Sequence, residues 1–226
     1  SVGDKAKIIA GTGTYSTKES IEYTKMANDL GVDGIMIVTP YYSKPSQYGI
    51  LKHFELISKN TELPIMAYNI PGRTATLIEL ATLVKLVDDV GIHSIKDAVG
   101  DLQFSKLELE ALKDKVDIYS GNDAETIEFM KMGAKGVVSV ASHIVGKEIY
   151  QLIESVSSDE LESAEQMQNT LLPMFDMLFE EPSPGPVKFL LTEIWEDVGS
   201  PLMPITDITS DLANKLLQNY KKIKKD

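Results

Sequence analysis

Up to residue 155, short apolar runs alternate with longer segments in which apolar residues recur every three or four positions. The runs at 6–10, 34–38, 64–68, 92–95, 116–120 and 136–140 have strand length. Gly34-Ile35-Met36-Ile37-Val38 and Gly136-Val137-Val138-Ser139-Val140 are apolar at nearly every position, the pattern of strands buried on both faces. The segments at 20–30, 48–59, 77–87, 104–113, 124–132 and 147–155 have helical spacing. Ser16-Thr17-Lys18-Glu19 opens the first of these as a capping box, and Gly31 closes it. Six βα units with short connections predict a parallel sheet covered by helices.

A doubly wound sheet and a (β/α)8 barrel of TIM type both satisfy that alternation. The polar residues favour the barrel. Thr12, Tyr42, Tyr68, Lys96, Gly121-Asn122-Asp123 and Ser139 fall at or just after the C-terminal ends of six strands, the functional rim of a barrel. A doubly wound sheet would gather them at one switch point. Past the sixth unit no strand pattern recurs. Amphipathic helices are predicted over 158–180, 187–198 and 207–222, divided by the rigid turn Glu181-Pro182-Ser183-Pro184-Gly185-Pro186 and the loop at 199–204. The expected domains are therefore a barrel at 1–157 carrying the site and a C-terminal helical bundle at 158–226.

Composition narrows the function. The 226 residues are 43% hydrophobic and 25% charged, ordinary for a globular chain with a sizeable core. No run approaches the roughly 18 apolar residues of a membrane span, and no signal-peptide pattern opens the chain, so a cytoplasmic protein is expected. The absence of cysteine excludes disulfides, thiolate metal sites and a Cys nucleophile. A net charge of −12 argues against a nucleic-acid partner. The one basic cluster, Lys221-Lys222-Ile223-Lys224-Lys225, reads as a helix end whose cations suit the helix dipole. His53, His93 and His143 sit on separate units without i, i+4 spacing, so no metal site is predicted. Gly11-Thr12-Gly13-Thr14 lacks the Lys-Ser/Thr ending of a phosphate-binding loop and reads as a tight strand-to-helix turn.

Two strand ends carry the candidate chemistry. Tyr68 closes one apolar run and Lys96 closes the next. On neighbouring parallel strands, phenol and amine emerge at the same sheet end. A lysine is nucleophilic only when neutral, and an apolar setting such as Ile92, Ile95 and Ala98 favours that form and imine formation. A phenol beside it can move protons between carbinolamine, imine and enamine. A surface lysine paired with Asp97 and a packing tyrosine would read the same way. Arg73 follows in a Pro-Gly turn, where its fork suits a carboxylate or lies in solvent. Tyr41-Tyr42 are hard to bury together; one can face the site and the other a partner subunit.

Seven motifs in order resemble the pyruvate-dependent class I aldolase family that contains the dihydrodipicolinate synthases and N-acetylneuraminate lyases. They are Ile9-Ala10-Gly11-Thr12-Gly13, the run from Thr39 to Pro45, the run from Tyr68 to Thr74, Ile95-Lys96-Asp97-Ala98, Ser120-Gly121-Asn122-Asp123, Gly136-Val137-Val138-Ser139-Val140 and Pro184-Gly185-Pro186-Val187-Lys188. The resemblance implies that Lys96 forms a Schiff base with pyruvate and Tyr68 transfers protons. Tyr42 would complete a proton relay across a dimer interface. Arg73 would bind the carboxylate of aspartate semialdehyde, which favours the synthase branch. Gly121, Val138 and Thr12 match positions at the substrate pocket. It further implies a lyase of lysine (diaminopimelate) biosynthesis, giving 4-hydroxy-tetrahydrodipicolinate without metal or cofactor in a homo-oligomer, a dimer or tetramer. The match starts at what corresponds to the family's third strand, so a barrel N-terminally truncated to about six βα units is expected. The alternatives are an aldolase for another 2-oxo acid and an inactive paralogue that serves as a binding or assembly partner.

Overall fold

The computed structural model describes residues 5–224. The chain divides into two compact units. One comprises residues up to 121 together with 132–135; the other comprises 122–131 and the residues from 136 on.

The first unit is a parallel sheet of five strands in sequence order: β1 (Ile9–Gly11), β2 (Gly34–Val38), β3 (Ile65–Asn69), β4 (Ser94–Asp97) and β5 (Asp117–Ser120). Between them run α1 (Thr17–Leu30), α2 (Gln47–Ser58), the turn α3 (Pro71–Thr74), α4 (Leu80–Lys85) and α5 (Leu102–Ala111). Strand order equal to chain order is what successive βα crossovers produce. Half of the expected capping box forms: the Ser16 hydroxyl accepts the Glu19 N–H at the head of α1, whereas the Ser16 N–H donates to the Thr14 hydroxyl at 3.0 Å instead of to Glu19. The expected helix over 77–87 begins three residues later, and its last turn, Leu86–Val90, is a π-helix. Ile50, Phe54 and Ile57 of α2 and Ile35 and Ile37 of β2 are fully buried. Each such side chain stabilises the unit by roughly 1.5–3 kcal/mol relative to exposure. Gly13 shows why the turn after β1 carries glycine: a Cβ there would lie 2.4 Å from the Val38 amide nitrogen.

The sixth strand expected at 136–140 is corrected: the sheet has five strands, and this stretch holds only an isolated bridge residue, Val137. Gly133 and Gly136, at φ +107° and +147°, bend the chain out of extended geometry on either side of Ala134-Lys135.

The second unit contains α6 (Thr126–Lys131), α7 (Ser142–Ser157), α8 (Leu161–Met177), α9 (Gly185–Ile194) and α10 (Ser210–Ile223). The single helix expected over 158–180 is α8, with a break before it at Ser158. Ile149 and Leu152 of α7, Leu171, Met174 and Phe175 of α8, Leu190 of α9 and Leu216 of α10 form one buried cluster. Lys221 and Lys222 occupy the last turn of α10, as the dipole favours; Lys225 of the basic cluster lies outside the described residues. Among the described residues no helix is long and apolar enough to cross a membrane.

Candidate active site

Strand register assembles the site. It pairs Val38 with Tyr68, Tyr68 with Lys96, and Lys96 with Tyr119, one row across β2 to β5. Alternation along each strand then sends Lys96 and Asp97 to opposite faces. Lys96 is only 8% exposed, and its Nζ lies 4.1 Å from the centroid of the Tyr68 ring. An ammonium over an aromatic face is electrostatically favourable, so the ring holds the amine in place.

Burial pushes the Tyr68 phenol above its ordinary range, and the positive charge of Arg73 partly opposes that rise. The phenol is therefore protonated at neutral pH and able to donate. Tyr68 also lines a cavity of about 340 Å³ together with Met36, Tyr41, Ile70 and Arg73. That size is at the small end of ligand clefts, and its wall is mainly apolar with one guanidinium and two phenols.

The loop carrying Arg73 is tied down at both ends. The buried Asn69 amide donates to the Ile78 carbonyl and accepts the Ile78 N–H, each at 3.0 Å. Within it the Thr74 hydroxyl lies 3.0 Å from the Ile70 carbonyl and 2.9 Å from the Thr76 carbonyl. Arg73 itself stays exposed, free to reach a ligand anion.

Gly121 follows β5, and its N–H donates to the Asp97 carbonyl at 2.6 Å. A Cβ on Gly121 would lie 2.7 Å from Ala98 Cβ and 3.0 Å from Lys96 Cε. The residue is thus packed directly against the lysine stem. Lys96, Tyr68 and Gly121 are brought together, and Arg73 shares a cavity wall with Tyr68. Thr12 is buried, its hydroxyl accepting from Thr24 at 3.1 Å. Tyr42 is 92% exposed, with its backbone at φ +69°. Val138 lies in the second unit. There Asp123 Oδ2 accepts the N–H groups of Val140 and Ala141, at 3.3 and 3.1 Å, and so fixes the end of the segment that bears Val138.

Two residues, Tyr119 and Glu108, escaped the sequence reading, which leaves the aromatic pair open between its two members. Tyr41, packed edge-on to Tyr15 at 5.8 Å, is the one of the aromatic pair that lines the cavity. Tyr119 stands in register beside Lys96, on the side away from Tyr68. Glu108 of α5 is fully buried. Strand pairing could have exposed Tyr119, because Tyr68, Lys96 and Tyr119 each lie at the end of an apolar run.

Residues 1–223 match the profile of the dihydrodipicolinate synthetase family. The chain belongs to this family. It is 42% identical over 212 residues to 4-hydroxy-tetrahydrodipicolinate synthase of Bacillus subtilis, which covers 93% of this chain and 73% of that protein. Among solved structures, a dihydrodipicolinate synthase from Bacillus anthracis superposes with a TM-score of 0.94 at 40% identity, covering 98% of this chain and 76% of that one. A structure described as the first monomeric dihydrodipicolinate synthase variant gives a TM-score of 0.95 at 30% identity, covering 99% and 76%. The fold is thus of the TIM-barrel α/β type, and the five-stranded parallel sheet belongs to it.

Proposed function

We propose that this chain is a class I, pyruvate-dependent synthase that condenses pyruvate with aspartate semialdehyde to 4-hydroxy-tetrahydrodipicolinate, a step of lysine biosynthesis. The observation that carries the reading is the buried Lys96 amine set over the Tyr68 ring at paired strand ends, in a chain 42% identical to a protein of that activity.

Once the Lys96 ammonium has given up its proton, the amine attacks the C2 carbonyl of pyruvate, and the carbinolamine loses water to give an imine. The imine draws electrons from C3, which gives up a proton to form the enamine. C3 then attacks the aldehyde carbon of the semialdehyde. The amine of the bound product closes the ring on C2 and displaces Lys96. The atoms balance as the two substrates less one water. Tyr68 serves as proton carrier at the carbinolamine and enamine steps; its raised phenol, protonated at neutral pH, suits it to donate. The imine is itself the electron sink, so the reaction calls for no metal or organic cofactor.

Arg73, beside the cavity mouth and electrostatically coupled to Tyr68, is assigned to the semialdehyde carboxylate. Gly121 is assigned to the pyruvate pocket, and the family resemblance assigns Thr12 and Val138 to substrate binding. Tyr42 is assigned to a proton relay completed in a second subunit. Its exposure supports this role, since a phenol left uncovered in one chain is available to a second. A homo-oligomer in the cytoplasm follows from the same reading, with the helical region from 158 on as the assembly element. The test is turnover of pyruvate and aspartate semialdehyde, measured beside a panel of other aldehydes with pyruvate. Preference for another aldehyde would overturn the substrate assignment.

A further inference from the structure

Behind Lys96, on the helix side of β4, lie two buried carboxyl groups that the proposed reaction does not use. Asp97 and Glu108 are both 0% exposed. Asp97 is well supplied with donors: its Oδ1 accepts the Val99 N–H at 2.7 Å and its Oδ2 accepts the Ser105 hydroxyl at 2.5 Å. Glu108, one turn after Ser105 on α5, has no donor directed at either carboxyl oxygen. An unpaired carboxylate in such a place costs several kcal/mol. With no N–H or O–H aimed at it, Glu108 can bond to Asp97 only by donating its own proton. Burial and the neighbouring Asp97 charge both hold Glu108 in that protonated form.

We propose that Glu108 stands as a carboxylic acid donating to the Asp97 carboxylate, and that this one-proton pair positions Lys96. The route is short. Asp97 is the next residue on β4, and its carboxylate closes the turn through Ala98 and Val99. Its carbonyl accepts the Gly121 N–H. Gly121 in turn packs between Ala98 and the Lys96 stem, as the missing space for a Gly121 Cβ shows. The amine is thereby aimed from behind by a rigid polar clamp. The positioning role rests on the imine reading of Lys96, whereas the shared proton does not.

Other charges near the pair are few. Burial raises the Asp97 carboxyl above its ordinary range, the Ser105 and Val99 donors oppose that rise, and the charge of Asp101, the N-cap of α5, adds to it. Lys106 and Glu110 of α5 and Lys85 of α4 are exposed, and the buried positions of α4 are Thr82 and Leu83. On the flanking strands the paired residues are Asn69, whose amide is engaged with Ile78, and Ser120, neither of them titratable. The two carboxyls therefore titrate chiefly against each other. Because the folded-state affinity of Glu108 for its proton is raised, its contribution to stability is complete below the ordinary glutamate range. It is lost as pH rises through the raised value, when a second buried charge appears.

Infrared difference spectra of whole protein carrying 13C-labelled glutamate, wild type against Glu108→Gln near neutral pH, test the pair. A carboxylic acid C=O band is expected in wild type and missing in the variant. Its absence from wild type would overturn the shared proton. Trapping of the Lys96 adduct by pyruvate and borohydride tests the positioning. E108L, which removes the donor and leaves a charged Asp97 short of a partner, is expected to trap on the order of tenfold more slowly. E108Q supplies an amide N–H in place of the acid and is expected to restore trapping. It should also lack the alkaline fall in rate expected of wild type. Thermal melts of both variants confirm that each is folded. Equal rates for E108L and wild type, or superimposed pH profiles for E108Q and wild type, would overturn the positioning role. If wild type itself forms no adduct, the imine reading fails and the positioning role falls with it, while the infrared band still decides the pair.

Discussion

Replacing Gly121 with alanine adds one methyl group at the tightest point behind the lysine. Gly121 is not among the residues with positive φ, so alanine can adopt the backbone and the whole cost is contact. The new Cβ would lie 2.7 Å from Ala98 Cβ, 3.0 Å from Lys96 Cε and 3.1 Å from the Asp97 carbonyl oxygen. Ordinary contact begins at 3.4 Å, so Ala98 must give way by 3.4 − 2.7 = 0.7 Å. The Asp97 carbonyl cannot retreat without loosening its bond to the Gly121 N–H. The soft neighbour is the lysine stem, which yields by rotating and carries Nζ off the Tyr68 ring. Overpacking of this kind costs about 1–3 kcal/mol. In a chain of this length about 2 kcal/mol lowers Tm by roughly 4–8 °C. If about 1.4 kcal/mol of it falls on the productive lysine rotamer, adduct formation slows tenfold. Thermal melts and single-turnover borohydride trapping with pyruvate read the two effects. Gly146→Ala is the control, since no atom lies within 4 Å of its added Cβ. G121A matching wild type in both Tm and trapping rate would refute the packing argument.

Tyr68→Phe keeps the ring that carries Lys96 and removes only the proton carrier. Stability near wild type is expected, with turnover down about 10²- to 10⁴-fold; turnover within a few-fold of wild type would remove Tyr68 from the mechanism. Arg73→Ala is expected to leave pyruvate trapping intact while kcat/KM for the semialdehyde falls about 10- to 100-fold. A loss confined to the pyruvate step would place Arg73 elsewhere. Burial alone holds the His53 imidazole down at about 4 against an ordinary 6.5, with Nδ1 2.9 Å from the Thr17 hydroxyl and Nε2 buried without a partner. The unfolded chain takes up that proton first, so stability is present above 6.5 and declines as pH falls toward 4. At the acid limit the loss is about 3 kcal/mol. Urea denaturation across this range should show His53→Gln flattening the slope; parallel slopes would exclude the imidazole as its source.

Much of the frame was legible because it rests on local patterns. The five sheet strands stood out as apolar runs, since a sheet covered by helices tolerates few polar residues. The same rule overreached at 136–140, where apolar content suggested a strand but the chain enters the stretch with positive φ at Gly133 and Gly136 and makes only a single bridge at Val137. The Tyr68 and Lys96 pairing was legible because each stands one residue from the end of its strand, and equal strand ends in a parallel sheet meet. Tyr119 follows from the same logic one strand further on. The aromatic pair was ambiguous in sequence because adjacent loop residues can exchange roles; only the backbone turn at Tyr42 leaves Tyr41 on the cavity. Asp97 and Glu108 could not have been matched. One lies on a strand and the other on the following helix, and each alone reads as an ordinary charged residue. Burial reveals their meaning, and burial is a property of the packed chain.

The central claim is an imine on one lysine. Incubating the chain with pyruvate and borohydride, digesting it and locating the added mass tests this directly. The account predicts a reduced pyruvyl adduct on Lys96 alone, absent without pyruvate and absent from Lys96→Ala. Folded protein that carries no adduct, or carries it on other lysines in proportion to their exposure, would contradict it.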